Sequence, residues 1–369
     1  MVGGGSGSQI GYAHRDAAQR DKLFKLVCGA FDINHQRGIR FGMDIGLDKQ
    51  RCYKDYQTLI AAEKKRKDGI EVLTIATPNN THYEITKAAL CANLHVICEK
   101  PLTFNTQQAQ ELKALAEAKN LLLAVMYGYS GYVMIEQARQ MIAQDMLGQV
   151  RIVNMEFAHG YHAEAVEKHN TGMRWRITPE VAGPSYVLGD IGTHCFQMGQ
   201  LLSGLTVEQL MCIRQSFVKN RAPLEDNAYV LLTYQNGAVG SLWASAVNIG
   251  AAHSFKVRII GEKGSLQWWD EHPNQLKVAM LNQPEQTLEH GFPYMLPSAQ
   301  FDRIGGGHPE GFFESWANLY RRFGIHIAGI KDDLEQQWFP TAQEGLEGVR
   351  FVEKCVESAN HGGRWVKFN

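Results

Sequence analysis

Apolar residues follow two rhythms along this chain. In its first third, four short and nearly unbroken apolar runs stand out, at 25–31 (KLVCGAF), 71–77 (EVLTIAT), 94–98 and 121–125. Runs of this length, bounded by turn formers, predict buried strands. Between them apolar positions recur at helical spacing. Ile85, Ala88, Ala89 and Ala92 share one stripe within 83–92, and Ala109, Leu112, Leu115 and Ala116 share another within 106–119. Strands alternating with helices predict a parallel, doubly wound sheet. Further on, strands are predicted at 150–158, 209–216, 228–234, 238–246 and 256–260, with Asn236-Gly237 as a hairpin turn between two of them.

The chain opens on the turn that a doubly wound sheet needs. Gly3, Gly5, Gly7 and Gly11 precede a helical segment through His14, Ala17 and Ala18. Glycines let the backbone approach a pyrophosphate, and a helix N-terminus favours its charge. Gly3 and Gly5 fit G-x-G-x-x-G, but the third position is Ser8, which leaves Gly11 to take the packing role after a short insertion. A disordered glycine-rich tag is the competing reading, and the alternation downstream favours dinucleotide binding through Gly3, Gly5, Gly7 and Ser8. Asp32 follows the run 25–31, where a carboxylate takes both ribose hydroxyls; a polar turn residue accounts for it equally well. Arg37 nearby suits a 2′-phosphate instead, so the reading leans to NAD and leaves NADP open. Only Met1 and Val2 precede Gly3, so the first strand is expected to be largely missing. The natural protein is then expected to start upstream, or this form to be compromised.

Composition narrows the class. The length of 369 residues suits about two domains, and a formal net charge of -1 points to neither a nucleic-acid nor a membrane surface. Cys28, Cys52, Cys91, Cys98, Cys195, Cys212 and Cys355 show no CxxC and no regular spacing. Reduced thiols in a cytoplasmic protein explain them more simply than a disulfide framework or a zinc site, and no metal is expected. No run approaches the ~18 apolar residues of a membrane span, and the start does not read as a secretory signal.

Two places carry candidate chemistry. Glu99-Lys100-Pro101 closes the run 94–98. A lysine at the C-terminal edge of a buried strand stands where open α/β sheets bind ligands, and the proline fixes the turn after it. A strand that simply ends at charged residues is the bland alternative. Within 183–197 (GPSYVLGDIGTHCFQ), Ile191, Cys195, Met198 and Leu202 form one helical stripe, and Asp190 and His194 lie four apart on an adjacent face. A carboxylate beside an imidazole fixes its tautomer and raises its basicity, which suits a general base. A helix cap and a structural histidine compete with that reading.

Taken in order, the glycine-rich start, Thr77-Pro78-Asn79 with His82, Glu99-Lys100-Pro101 and Gly189-Asp190-Ile191-Gly192-Thr193-His194 resemble the Gfo/Idh/MocA oxidoreductases. The resemblance runs nearly end to end, through Trp175-Arg176, Gly261-Glu262-Lys263-Gly264 and Gly363-Arg364-Trp365-Val366. It implies an N-terminal Rossmann domain (1–127) and a C-terminal α/β domain (128–369) on a large, mostly antiparallel open sheet, whose outer face joins dimers or tetramers. It also implies hydride transfer between nicotinamide C4 and a carbon of a sugar, polyol or cyclitol. Lys100 and His194 then serve the reacting hydroxyl, with His194 as base and Lys100 stabilising the alkoxide, while Asp190 orients substrate and histidine. A neutral Lys100 acting as the base is the alternative. Thr77, Pro78, Asn79, His82 and Glu99 border the cofactor by resemblance, and a cis Lys100-Pro101 peptide is expected. Tyr161, Trp175, Arg176 and His308 are the substrate candidates. Tyr127-Gly128-Tyr129 departs from the family, since Gly128 replaces an asparagine that many members place near the nicotinamide. A fold that has lost catalysis, or one that uses NAD transiently during glycoside cleavage, are the alternatives. Lys100, Asp190 and His194 argue against the former.

Overall fold

The computed structural model describes residues 1–330 and 338–369, with the backbone alone at Thr171 and Gly172. Contacts divide the chain into two units. One comprises Met1–Gly128 and Trp316–Leu346, the other Tyr129–Ser315 and Glu347–Asn369. By contacts, Trp316–Leu346 groups with the first unit, although it lies far along the chain from Met1–Gly128. The physical reason is local pairing: Val125 donates its N–H to Pro340, and Ala124 bridges Thr341, so this late segment pairs with the edge strand of the first sheet.

The first unit holds β1 (Val2–Gly3), β2 (Val72–Ala76), β3 (His95–Glu99) and β4 (Leu123–Met126), paired in that order and all parallel. Leu73, Ile75, Val96, Ile97 and Cys98 are wholly buried, which explains the unbroken apolar runs. Around the sheet run α1 (Gln9–Arg20), α2 (His35–Asp44), α3 (Tyr56–Glu63), α4 (His82–Cys91) and α5 (Thr106–Ala118). The predicted strand at 25–31 is corrected. It makes only the isolated bridges Val2↔Ala30 and Gly29↔Cys52, because β1 is two residues long and offers too little edge for a longer ladder.

Gly11 has a clear steric duty. It lies in α1 against Gly4, and a Cβ there would stand 2.3 Å from the Gly4 Cα. The third glycine role of the turn therefore falls on Gly11, while the Ser8 side chain caps α1 by accepting the Gly11 N–H at 3.0 Å.

The second unit begins with α6 (Val133–Ala143) and β5 (Val150–Ala158), followed by short helices α7 (Thr171–Arg174) and α8 (Pro179–Ala182) and then α9 (Thr193–Ser203). Strands β6 (Val207–Gln215), β7 (Asn227–Tyr234), β8 (Val239–Ser245), β9 (Phe255–Gly261), β10 (Gly264–Trp269), β11 (Gln275–Met280), β12 (Gln286–Glu289) and β13 (Val366–Lys367) complete its sheet. The order is β12-β11-β10-β9-β5-β8-β7-β6-β13, antiparallel except for the β5–β8 pair. Along β7, Ala228, Val230, Leu232 and Tyr234 are buried while Tyr229 and Leu231 face outward, the period of a one-sided sheet. Helices α10 (Phe312–Ala328) and α11 (Ala342–Asn360) lie between β12 and β13 in the chain. Phe351 of α11 stacks on Phe196 of α9 at 4.5 Å in the core of this unit.

Gly11→Ala forces α1 away from the turn that precedes it. The expected cost is about 1–3 kcal/mol, read as a lower Tm together with weaker NADH binding by fluorescence titration.

Candidate active site

The end of β3 is built on a buried carboxylate. Glu99 accepts from His14 Nε2 at 3.1 Å and from the Lys100 N–H at 3.2 Å. The carboxylate only accepts, so His14 Nε2 carries the proton and Nδ1 accepts from the Tyr320 hydroxyl at 2.8 Å. Tyr320 in turn accepts from Thr74 Oγ1 at 3.2 Å. This directed chain, Thr74→Tyr320→His14→Glu99, fixes the carboxylate and through it the backbone of Lys100. The Lys100-Pro101 peptide is cis, as expected. His14 and Tyr320 escaped the sequence reading because neither sits in a motif; only the helical stripe that holds His14 was visible.

His82 is wholly buried, with Nδ1 2.8 Å from the Pro101 carbonyl and Nε2 2.9 Å from the Thr77 carbonyl. It ties the ends of β2 and β3 together. Burial pushes its pKa down, against the two carbonyls that favour the charged form. Thr77 Oγ1 accepts from Thr81, and Pro78 and Asn79 begin the turn into α4. Gly3 at the end of β1 and Gly7 before α1 adopt positive φ, and Gly5 lies against the Phe31 carbonyl. Asp32 is held by Arg37 in a two-point pair at 2.9 and 3.0 Å, which lowers the carboxyl pKa. At Gly128 a Cβ would stand 2.0 Å from Trp316 Nε1, so the indole occupies the space where a side chain at this position would project. Trp316 also packs edge-on against His14 at 4.8 Å.

In the second unit, Leu188–Gly192 forms a π-turn that runs directly into α9. Such turns are rare and concentrate at functional sites. This one is pinned by buried Glu225, which accepts from Leu188 N at 3.1 Å and from Ser185 Oγ. Asp190 projects from the turn and pairs with Arg176 at 3.3 Å, while the Arg176 guanidinium lies 4.5 Å from the Trp175 ring centroid. His194 is buried at the start of α9, and its ring meets Tyr129 edge-to-face at 4.9 Å and Phe157 at 6.3 Å.

Two histidines after β5 join this cluster. His162 Nδ1 pairs with the Tyr186 hydroxyl. His159 is buried, and desolvation first, then the neighbouring His162, holds its pKa down at about 4. Buried Arg221 clamps the segment by donating to the His162 and Glu164 carbonyls, both at 2.7 Å. Tyr161 is 59% exposed. His308 is exposed too; its N–H donates to the Gly305 carbonyl at 3.4 Å, and its own carbonyl accepts from His290 Nε2 at 2.8 Å. His290, Asp302 and Glu310 bring ligand-type atoms within 4.8 Å of one another. His290 also meets Asp302, and Glu310 accepts from the Arg303 and Ile304 amides, so the cluster fastens this loop to the end of β12.

Against known proteins, residues 1–127 match the oxidoreductase family's NAD-binding Rossmann fold, and residues 139–368 match its C-terminal alpha/beta domain. The chain belongs to the Gfo/Idh/MocA oxidoreductase family. Residues 1–127, the larger part of its first unit, are thus the family's NAD-binding domain, and its cofactor is NAD. The positive-φ glycine turn, the capped start of α1 and the acid at residue 32 fit a dinucleotide. The uncharacterized oxidoreductase YfiI of Bacillus subtilis is 50% identical over all of this chain and 96% of its own length. An inositol dehydrogenase homolog from Azotobacter vinelandii, solved with NAD+, is 53% identical with a TM-score of 0.97, covering 100% of this chain and 96% of that one. The same homolog with NADH and myo-inositol gives 52% identity and a TM-score of 0.94 over the same shares.

His159 links this site to acid stability. Its folded pKa lies below the unfolded value, so the unfolded chain binds more protons between them, and stability falls as pH drops from about 6.5 to about 4. The contribution is on the order of 3 kcal/mol. Urea unfolding at pH 7 and pH 5 is expected to show a smaller loss in His159→Gln than in the parent.

Proposed function

We propose that this oxidoreductase is an NAD-dependent dehydrogenase of a polyol or cyclitol, oxidising a secondary hydroxyl to a ketone. The observation that carries the reading is the full-length similarity to the Azotobacter homolog crystallised with NADH and myo-inositol. Asp32 supports NAD over NADP. Its carboxylate occupies Arg37, leaving that guanidinium neutralised where a 2′-phosphate would need it.

When bound, NAD supplies a hydride acceptor at nicotinamide C4. The protein must then remove the hydroxyl proton of a very weak acid, which calls for a base and a nearby positive charge. His194 takes that proton, and the Lys100 ammonium stabilises the developing alkoxide. Asp190, held by Arg176, orients the substrate. Thr77, Pro78 and Asn79 border the cofactor, while Glu99 and His82 hold the strand ends that present Lys100. Trp175 and Arg176 line the substrate side of Asp190; Tyr161 and His308 are solvated and contribute less.

Exposed Tyr229, Leu231 and Val239 on the outer face of the second sheet, with Trp243 stacked on Tyr229, support a homodimer or homotetramer through that face. All seven cysteines are free thiols, which suits a cytoplasmic setting, and among the described residues no helix is long and apolar enough to cross a membrane.

Net NADH formation with a panel of polyols and sugars, myo-inositol included, tests the activity. Binding of NAD without net NADH on any of them would instead favour transient redox or a non-catalytic role. His194→Gln and Lys100→Met are each expected to lower kcat by at least ~100-fold. Near-normal turnover with an unchanged pH profile in His194→Gln would move the base role to Lys100. For assembly, Tyr229→Arg with Leu231→Glu is expected to shift the sedimentation coefficient to that of a monomer.

A further inference from the structure

A second histidine–carboxylate pair stands behind His194, outside every motif above. His253 precedes β9 and Asp270 follows β10, and the His253 Nδ1 pairs with Asp270 Oδ2. The turn is rigid. Glu271 Oε1 accepts from the His253 and Ser254 amides at 3.1 and 2.8 Å, and Asp270 Oδ1 accepts from Phe255 N at 3.0 Å. The other imidazole nitrogen, Nε2, lies 3.2 Å from the Tyr129 hydroxyl. Tyr129 in turn sets its ring at 89° to His194, with centroids 4.9 Å apart. Phe157, stacked on Phe255, packs the His253 ring at 4.4 Å.

These contacts have a direction. A carboxylate accepts only, so neutral His253 carries its proton on Nδ1 and presents a lone pair at Nε2. Tyr129 must then donate its hydroxyl hydrogen to His253, which anchors the hydroxyl end of the phenol. A fixed ring edge-to-face with an imidazole restricts how that imidazole turns. We propose that Asp270, His253 and Tyr129 form a positioning relay that holds the His194 ring in its working orientation. The proposal rests on His194 being the base. None of the three relay residues needs to touch substrate, so their effect should fall on kcat and leave KM largely alone.

Asp270→Asn is the informative variant. Phe255 N still needs an acceptor, so the amide oxygen stays there and the amide NH2 faces His253 Nδ1. That reverses the imidazole tautomer: Nε2 becomes a donor, and Tyr129 loses its acceptor while the turn keeps its hydrogen bonds. The side-chain 15N shifts of His253 should show the proton on Nδ1 in the parent and on Nε2 in the variant. Asp270→Asn and Tyr129→Phe should each lower kcat about 10- to 100-fold, with polyol KM within about twofold. The double variant should be no worse than either single one, since both break the same relay. His253→Asn, which keeps the Asp270 contact and cannot reach Tyr129, gives the same cycle if Asp270→Asn does not fold. Multiplying effects in the double variant, or an unchanged His253 tautomer in Asp270→Asn, would overturn the relay. With His194→Gln inactive, that result leaves the base assignment standing. Full turnover in His194→Gln would instead remove the base assignment, and the relay's purpose with it.

Discussion

A buried carboxylate must find donors or give up its charge, and each unit of this protein is organised around one that finds them. In the first unit Glu99 sits at the end of β3 and is satisfied by His14 and by the backbone N–H of the next residue, Lys100. In the second, Glu225 accepts from Ser185 and Leu188 and so pins the π-turn that carries Asp190 into α9. Each is costly to bury, and its donors are therefore fixed in place. The residues proposed for the chemistry lie on the backbone so held: Lys100 directly follows Glu99, and Asp190 and His194 follow Leu188, whose N–H Glu225 accepts.

Fixed polar networks of this kind have two consequences. They raise the precision of the groups they support, which is what proton transfer and alkoxide stabilisation require. They also tie stability to pH. Glu225 is pushed towards its neutral form by burial, while His159 and His162 are held neutral by the same effect. The second unit therefore gathers imidazoles whose charging on acidification opposes folding, close to the residues assigned to the reaction.

The glycine positions show how steric demands replace sequence rules. The G-x-G-x-x-G spacing breaks at Ser8, yet the packing that the third glycine serves is carried by Gly11 against Gly4. Ser8 is turned into a helix cap. Gly128 leaves room for the Trp316 indole from a segment nearly two hundred residues later in the chain.

From the sequence alone, hydrophobic pattern identified β2 to β9 to within a few residues, because buried parallel strands read as short unbroken apolar runs bounded by turn formers and one-sided antiparallel strands alternate. The order of the Gly-rich turn, Glu99-Lys100-Pro101 and Asp190 to His194 was enough to name the family. Three things were decided only in three dimensions. The run at 25–31 lacks a ladder because its partner strand is two residues long. Trp316–Leu346 joins the first unit because its pairing is to β4. His14, Tyr320, His253 and Asp270 matter through contacts between residues distant in sequence, or on separate strands, and such contacts leave no periodic trace. Hydrophobic pattern records which side of an element is buried; it does not record which polar groups meet once burial has brought them together.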